Sequence, residues 1–219
     1  MKCLIIGGTS GVGLELAKLL LLDYDVYIVG RQDPEMEHLI FHAIDLNQQD
    51  KSIQKIHDLV ASLPKIDIFI HAAGFYQEGL ITELSEAQIQ EMMDTCLMSA
   101  IYSTRELLLN QKNLPVFVAV TSTSQYTPRL LEPIYTAAKA GLGAYANSLS
   151  LDPRIKKTLV VSPAGMKTKF HSGREVDMST YLEPSWVALQ IMELLRDEYS
   201  YKYARILRDP AHVEIKATR

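Results

Sequence analysis

Lys2-Cys3-Leu4-Ile5-Ile6-Gly7-Gly8-Thr9-Ser10-Gly11-Val12-Gly13 is the stretch on which the reading of the whole chain turns. Lys2 to Ile6 is a short apolar run of strand type. Glycines interrupt it, and a helical pattern starts at about Val12 and runs to Leu22. Glycines allow a tight turn and a close backbone approach. The helix that follows presents unpaired N–H groups and the positive end of its dipole to a phosphate. Glycines 7, 11 and 13 are spaced Gly-x-x-x-Gly-x-Gly, which differs from the G-x-G-x-x-G dinucleotide fingerprint. No Gly-Lys-Ser/Thr follows, so the loop is not a Walker phosphate loop. Gly7, Thr9, Ser10, Gly11, Val12 and Gly13 are therefore the first candidates for contact with a bound nucleotide.

Beyond this unit, short strands alternate with longer helices. Strands are expected at Asp25–Val29, His38–Ile44, Ile66–Ile70, Val116–Val120, Thr158–Val161 and Tyr203–Leu207. Helices are expected at Asp50–Ser62, Glu86–Met93, Thr95–Gln111, Pro133–Leu151 and Pro184–Arg196. Continuous apolar strands alternating with helices predict an α/β fold: a doubly wound parallel sheet of about seven strands in a three-layer Rossmann arrangement. No linker, repeat or low-complexity stretch interrupts the pattern, so residues 1–219 are expected to form one domain. Ligands of such sheets bind beyond the carboxyl ends of the strands.

Composition narrows the function classes. The 219 residues are 47% hydrophobic and 22% charged, with a net charge of −4. There is no basic stripe of the kind nucleic-acid binders carry. No run of about 18 apolar residues suggests a membrane span. The apolar run at the N-terminus is too short for a signal peptide. The two cysteines, Cys3 and Cys96, have no partners at zinc-site spacing, so neither a metal site nor a disulfide framework is expected. Two cysteines suit a reducing compartment, and the expected location is the cytoplasm.

The second strand ends in Gly30-Arg31. A NAD site places an acidic group about 20 residues after its glycine loop, for the ribose 2′-hydroxyl, whereas an arginine accommodates a 2′-phosphate. Arg31 thus favours NADP(H), with NAD(H) as the alternative; Asp33 close by opposes this reading. Tyr135 and Lys139 lie one helical turn apart on a shared face. Among the 11 tyrosines, only Tyr135 has a lysine at the fourth position after it. Ser122 stands just beyond the strand Val116–Val120. A phenol can protonate a carbonyl oxygen on which charge develops. A neighbouring ammonium lowers the phenol's pKa, and a hydroxyl aimed at the same oxygen stabilises the charge.

These residues resemble the short-chain dehydrogenase/reductase family, of the classical kind, and the resemblance covers nearly the whole chain. It implies a catalytic set of Ser122, Tyr135 and Lys139. It implies adenine-side contacts at Asp45 and Leu46. Ala72, Ala73 and Gly74 resemble the family's Asn-Ala-Gly stretch, with His71 in place of an Asn. Pro163, Gly165, Met166 and Thr168 resemble the segment that touches nicotinamide, with Ala164 replacing a Gly. The implied activity is hydride transfer between NADP(H) and a small carbonyl or alcohol.

Two departures matter. Cys96 aligns with a helix residue that is usually Asn and that holds the lysine through water, and Ser99 is the candidate substitute. The lid segment Phe170 to Glu183 is brief, which suggests an open site, with His171, Met178 and Tyr181 as candidate lining. A cofactor-binding regulatory protein without turnover is the alternative function, and Cys96 is the residue that lends it weight. An epimerase or dehydratase ranks third, because the glycine spacing and longer substrate region of those relatives are absent. The resemblance also implies a homodimer or homotetramer through the helices Thr95–Gln111 and Pro133–Leu151. Periodicity leaves open whether Leu107, Leu108, Ala137, Leu142 and Ala146 face the core or a second subunit.

Overall fold

The computed structural model describes residues 1–47, 50–168, 170 and 177–219. Eight strands form one sheet in the order β3-β2-β1-β4-β5-β6-β7-β8. They are β1 (Lys2–Ile6), β2 (Asp25–Gly30), β3 (Leu39–Ala43), β4 (Ile68–His71), β5 (Leu114–Val120), β6 (Ile155–Pro163), β7 (Tyr201–Leu207) and β8 (His212–Thr218). The strand order reverses between β1 and β4, which pair in parallel with Ile6 opposite His71. The carboxyl ends of these two strands therefore flank the crevice where such sheets bind ligands.

The helices are α1 (Gly11–Leu20), α2 (Asp50–Ser62), α3 (Glu86–Met93), α4 (Ser99–Gln111), α5 (Pro133–Leu149) and α6 (Pro184–Arg196). Strand side chains alternate between the two faces of the sheet. Leu4, Ile6, Phe69, Phe117 and Val160 pack with residues of α2, α4 and α5 on one face. Ile5, Ile28, Ile70, Val118 and Val161 pack with α1 and α6 on the other. Leu107, Leu108, Leu142 and Ala146 all belong to the first core, while Ala137 is exposed. Four of the five positions left open by periodicity therefore bury inside the chain.

The expectation of about seven strands needs one correction. The eighth strand pairs antiparallel with β7. A search for continuous apolar runs passes over it, because Val213, Ile215 and Ala217 alternate with His212, Glu214 and Lys216. That period-2 pattern is the mark of an edge strand with one wet face. A second correction concerns the helix expected from Thr95. A π-helical turn, Asp94–Met98, joins α3 to α4, and Cys96 sits buried within it. Such single-turn π segments recur at functional sites.

Candidate active site

The first β-strand runs into its loop at Gly7, whose φ is +84°. A Cβ there would lie 2.5 Å from the Ala73 nitrogen, so only glycine lets the loop approach the end of β4 this closely. At Gly13 a Cβ would lie 2.1 Å from the Gly7 carbonyl oxygen, so any side chain would push α1 away from its loop. The Leu14 N–H closes the first turn of α1 on the Ser10 carbonyl at 3.2 Å. The Ser10 side chain makes no cap hydrogen bond. The first-turn N–H groups of α1 are thus left to a ligand, the arrangement that binds phosphate.

The loop forms one wall of a cleft of about 720 Å³. Gly7, Thr9, Ser10, Gly11, Val12 and Gly13 all line it. Arg31, Asp45 and Leu46 line it as well, as do Ala72, Ala73 and Gly74. Arg31 is exposed. Asp33 accepts the Glu35 N–H at 2.8 Å, tying its carboxylate into the following turn. Asp45 similarly accepts the Asn47 N–H at 3.2 Å. A cleft of this size, with bare N–H groups at one end and a guanidinium beyond, fits a dinucleotide. Among the described residues no group of three His, Cys, Asp or Glu side chains could hold a metal ion.

Tyr135 and Lys139 stand one turn apart on α5, and both line the cleft. Lys139 is 3% exposed. Its ammonium donates to the Ala73 carbonyl at 3.0 Å and to the Val120 carbonyl at 3.1 Å, bracing the ends of β4 and β5. Gly74 leaves room for it, since a Cβ there would lie 3.2 Å from Nζ. Burial pulls the Lys139 ammonium below the ordinary lysine value. Burial pushes the Tyr135 phenol above the ordinary tyrosine value, and a side-chain hydrogen bond with Ser122 opposes that rise. The ammonium lies 5.9 Å from the ring centroid and spends its hydrogen bonds on two backbone carbonyls.

Ser122 does not line the cleft. It lines an adjoining cavity of about 230 Å³, and Tyr135 lines both spaces. Pro163 and Gly165 also lie on the smaller cavity, whereas Met166 and Thr168 border both. Tyr181 reaches the smaller cavity and Met178 lines neither. His171 lies outside the described residues. Sequence reasoning missed Tyr76 and Phe170, which meet edge to face at a centroid distance of 5.8 Å and border both spaces. It also missed Arg129, Glu132 and Arg208 on the smaller cavity. The rule that ligands gather beyond strand carboxyl ends pointed to Arg208, the residue directly after β7.

The two departures also have a geometry. Cys96 is fully buried, and its thiol donates to the Met92 sulfur at 3.4 Å. The Ser99 hydroxyl donates to the Thr95 carbonyl at 2.9 Å and pairs with His71 Nε2 at 2.7 Å. It is committed there, so it does not take the place of an amide beside Lys139. A hydroxyl has one proton, so with that proton on Thr95 the His71 ring donates from Nε2. His71 Nδ1 is then the buried acceptor that lacks a partner. His71 is fully buried with one ring nitrogen unpaired.

Burial, aided by the Lys139 charge, lowers the His71 pKa from 6.5 to about 3. As pH falls through 6.5, the unfolded chain takes up a proton that the folded chain refuses until about pH 3. Stability is therefore lost with falling pH across that window, by about 2 kcal/mol between pH 7 and pH 5. His71→Asn is expected to remove this part of the acid slope, measured by thermal or denaturant unfolding at the two pH values. An unchanged slope would show that another group carries it.

The short chain dehydrogenase family model matches residues 2–178. Carbonyl reductase family member 4 of Xenopus tropicalis is 24% identical over 218 aligned residues, covering 90% of this chain and 92% of that protein. The 3-oxoacyl-[acyl-carrier-protein] reductase FabG of Buchnera aphidicola from Acyrthosiphon pisum is 25% identical, covering 76% of this chain and 73% of that one. Among solved structures, a short-chain dehydrogenase/reductase from Vibrio parahaemolyticus superposes with a TM-score of 0.77 at 28% identity, over 93% of this chain and 98% of that chain. An alcohol dehydrogenase from Thermococcus sibiricus, complexed with 5-hydroxy-NADP, superposes with a TM-score of 0.81 at 18% identity, over 95% and 96% of the two chains. The match to the family model, reaching from the glycine loop past the Tyr135–Lys139 helix, assigns this chain to the short chain dehydrogenases, oxidoreductases that bind NAD(P)(H) and act on CH–OH and C=O groups.

Proposed function

We propose that the protein is an NADP(H)-dependent oxidoreductase that moves a hydride between its cofactor and a small carbonyl or alcohol. The observation that carries this reading is the position of Tyr135 on the wall shared by the dinucleotide-sized cleft and the small cavity that holds Ser122. Bound in the cleft, the nicotinamide would supply or accept the hydride. The chain's own part is proton handling and positioning. The Tyr135 phenol, kept protonated by its burial, donates its proton to the carbonyl oxygen as negative charge builds there. The Ser122 hydroxyl donates a hydrogen bond to that oxygen. Lys139 braces the strand ends on either side of the nucleotide crevice, and in this reading its ammonium also holds the cofactor ribose and favours the phenolate of Tyr135. Gly7 through Gly13 hold the phosphates, Asp45 and Leu46 border the adenine, and Arg31 meets the 2′-phosphate.

Two free, buried cysteines support a cytoplasmic setting. No helix among the described residues is long and apolar enough to cross a membrane. The homo-oligomer through α4 and α5 remains part of the proposal, supported by exposed Leu109 and Ala137 on those helices. Binding without turnover is the second reading, and the observation that favours it is Cys96, a thiol turned to Met92 where the family has an amide.

The test is NADPH oxidation, followed by absorbance, with aldehydes, ketones, diketones and quinones. Turnover supports the enzyme reading, and cofactor binding without turnover across the panel supports the second. Arg31→Ala is expected to weaken NADPH by about 10- to 100-fold more than NADH, the value of a charge-assisted fork. Equal loss for both cofactors would remove Arg31 from the 2′-phosphate site.

A further inference from the structure

Among the described residues, the smaller cavity carries an unbalanced charge. Among the described residues, its ionised lining is Arg129, Glu132 and Arg208. Glu132 is spoken for: its carboxylate accepts the Ser124 hydroxyl at 3.0 Å and lies 3.6 Å from Arg129 Nε. Arg129 and Glu132 cancel, which leaves one net positive charge on the wall. That charge belongs to Arg208. Its guanidinium lies over the Tyr181 ring at 4.3 Å, and its Nη1 is buried with no hydrogen-bond partner. A buried guanidinium N–H without an acceptor is costly, because it has given up its hydrogen bond to water and gained none in return. Tyr181 is itself held in place, since a Cβ on Gly165 would come within 2.8 Å of its ring.

Among the described residues, the cavity therefore presents the Arg208 guanidinium and one uncompensated positive charge, and Tyr135 and Ser122 stand on its wall. A planar carboxylate matches that guanidinium fork in shape, and its single negative charge matches the net charge of the wall. At about 230 Å³ the space lies below the range of drug-sized sites, so it takes a short chain. We infer that the substrate is a short oxo acid, or the hydroxy acid related to it, whose carboxylate is bound by Arg208 while its carbonyl faces Tyr135 and Ser122. The inference rests on the proposed roles of Tyr135 and Ser122, and it adds the charge that selects the substrate.

The experiment compares 3-oxobutanoate with its methyl ester, which keeps the carbonyl and removes the charge. The acid is expected to exceed the ester by about 100-fold in kcat/KM, with most of the difference in KM. In Arg208→Gln that ratio falls toward one, and Arg208→Lys, which keeps the charge without the fork, restores part of it. A wild-type protein that uses the acid and the ester equally well, or an Arg208→Gln variant that keeps the ratio, overturns the inference. Ligand-observed NMR with butanoate and butanamide gives a readout without turnover. Butanoate binding that depends on Arg208 supports the assignment, and equal binding of acid and amide overturns it. A wild-type protein with no acid preference whose turnover still depends on Tyr135 defeats this inference alone. Turnover indifferent to Tyr135→Phe defeats the reading on which it rests.

Discussion

Tyr135→Phe is expected to lower kcat/KM by about 10³- to 10⁴-fold, the scale of a lost general acid together with its hydrogen bond in a site shielded from water. The ring stays, so packing against Phe170, 5.8 Å away between centroids, is retained, and the fold loses little. Dinucleotide affinity is expected to hold while turnover collapses, measured by fluorescence titration beside the kinetics. The pH dependence follows from the direction of the shift. Burial raises the pKa of the phenol, so the protonated form persists through neutral pH and well into the alkaline range. Carbonyl reduction, which uses that form, should be flat through neutral pH and fall only in strong alkali. Alcohol oxidation needs the phenolate and should climb with pH over the same range. A variant that keeps wild-type rates, or a reduction rate that drops through pH 7, would remove Tyr135 from the acid role.

Lys139→Met is the second large effect, with an expected loss of about 10²- to 10³-fold in kcat/KM. The stability change should be small by comparison, because two terms oppose. The substitution relieves the cost of a buried ammonium, seen in its lowered pKa. It also strips the Ala73 and Val120 carbonyls of a charged donor. The net is expected to stay within about 2 kcal/mol, read from urea unfolding. Activity and stability falling together, with the residual enzyme retaining wild-type kinetics, would make Lys139 a structural brace only.

Where sequence reading succeeded, a local signal and the tertiary environment agreed. Asp50–Ser62 and Pro184–Arg196 match the expected bounds because their apolar stripes are regular and Pro184 fills a first-turn position. The glycine loop was legible because the demands on Gly7 and Gly13 are backbone demands that no other residue meets. Tyr135 and Lys139 were legible because a helix turns their spacing into a shared face. Ser122 was legible as a strand-end hydroxyl, but its place on the smaller cavity was not, since that depends on how β5 and β6 run beside each other. Arg208 escaped for a similar reason: the turn after β7 meets Tyr181 only in the folded chain. The protonation balance at Tyr135 was not legible, because spacing gives the proximity of a charge but not the direction of its hydrogen bonds. The π-helical turn left no trace in residue pattern, as Thr95 to Gln111 reads as one uniform stripe.

That turn has a consequence for how much the chain tolerates insertion and deletion. Each residue advances a helix by about 100°, so the widened turn at Asp94–Met98 offsets the bearings of α3 and α4. Each helix thereby keeps its own neighbours: α3 leans on α5, and α4 on α2. The wide turn takes up about one residue more than an α-helical turn, so deleting a single position there would close it into an ordinary turn and leave the stripes of α3 and α4 on their neighbours. A one-residue deletion between Met93 and Ser99 is thus expected to be absorbed, and its cost falls on the bearing of the buried Cys96 rather than on either helix.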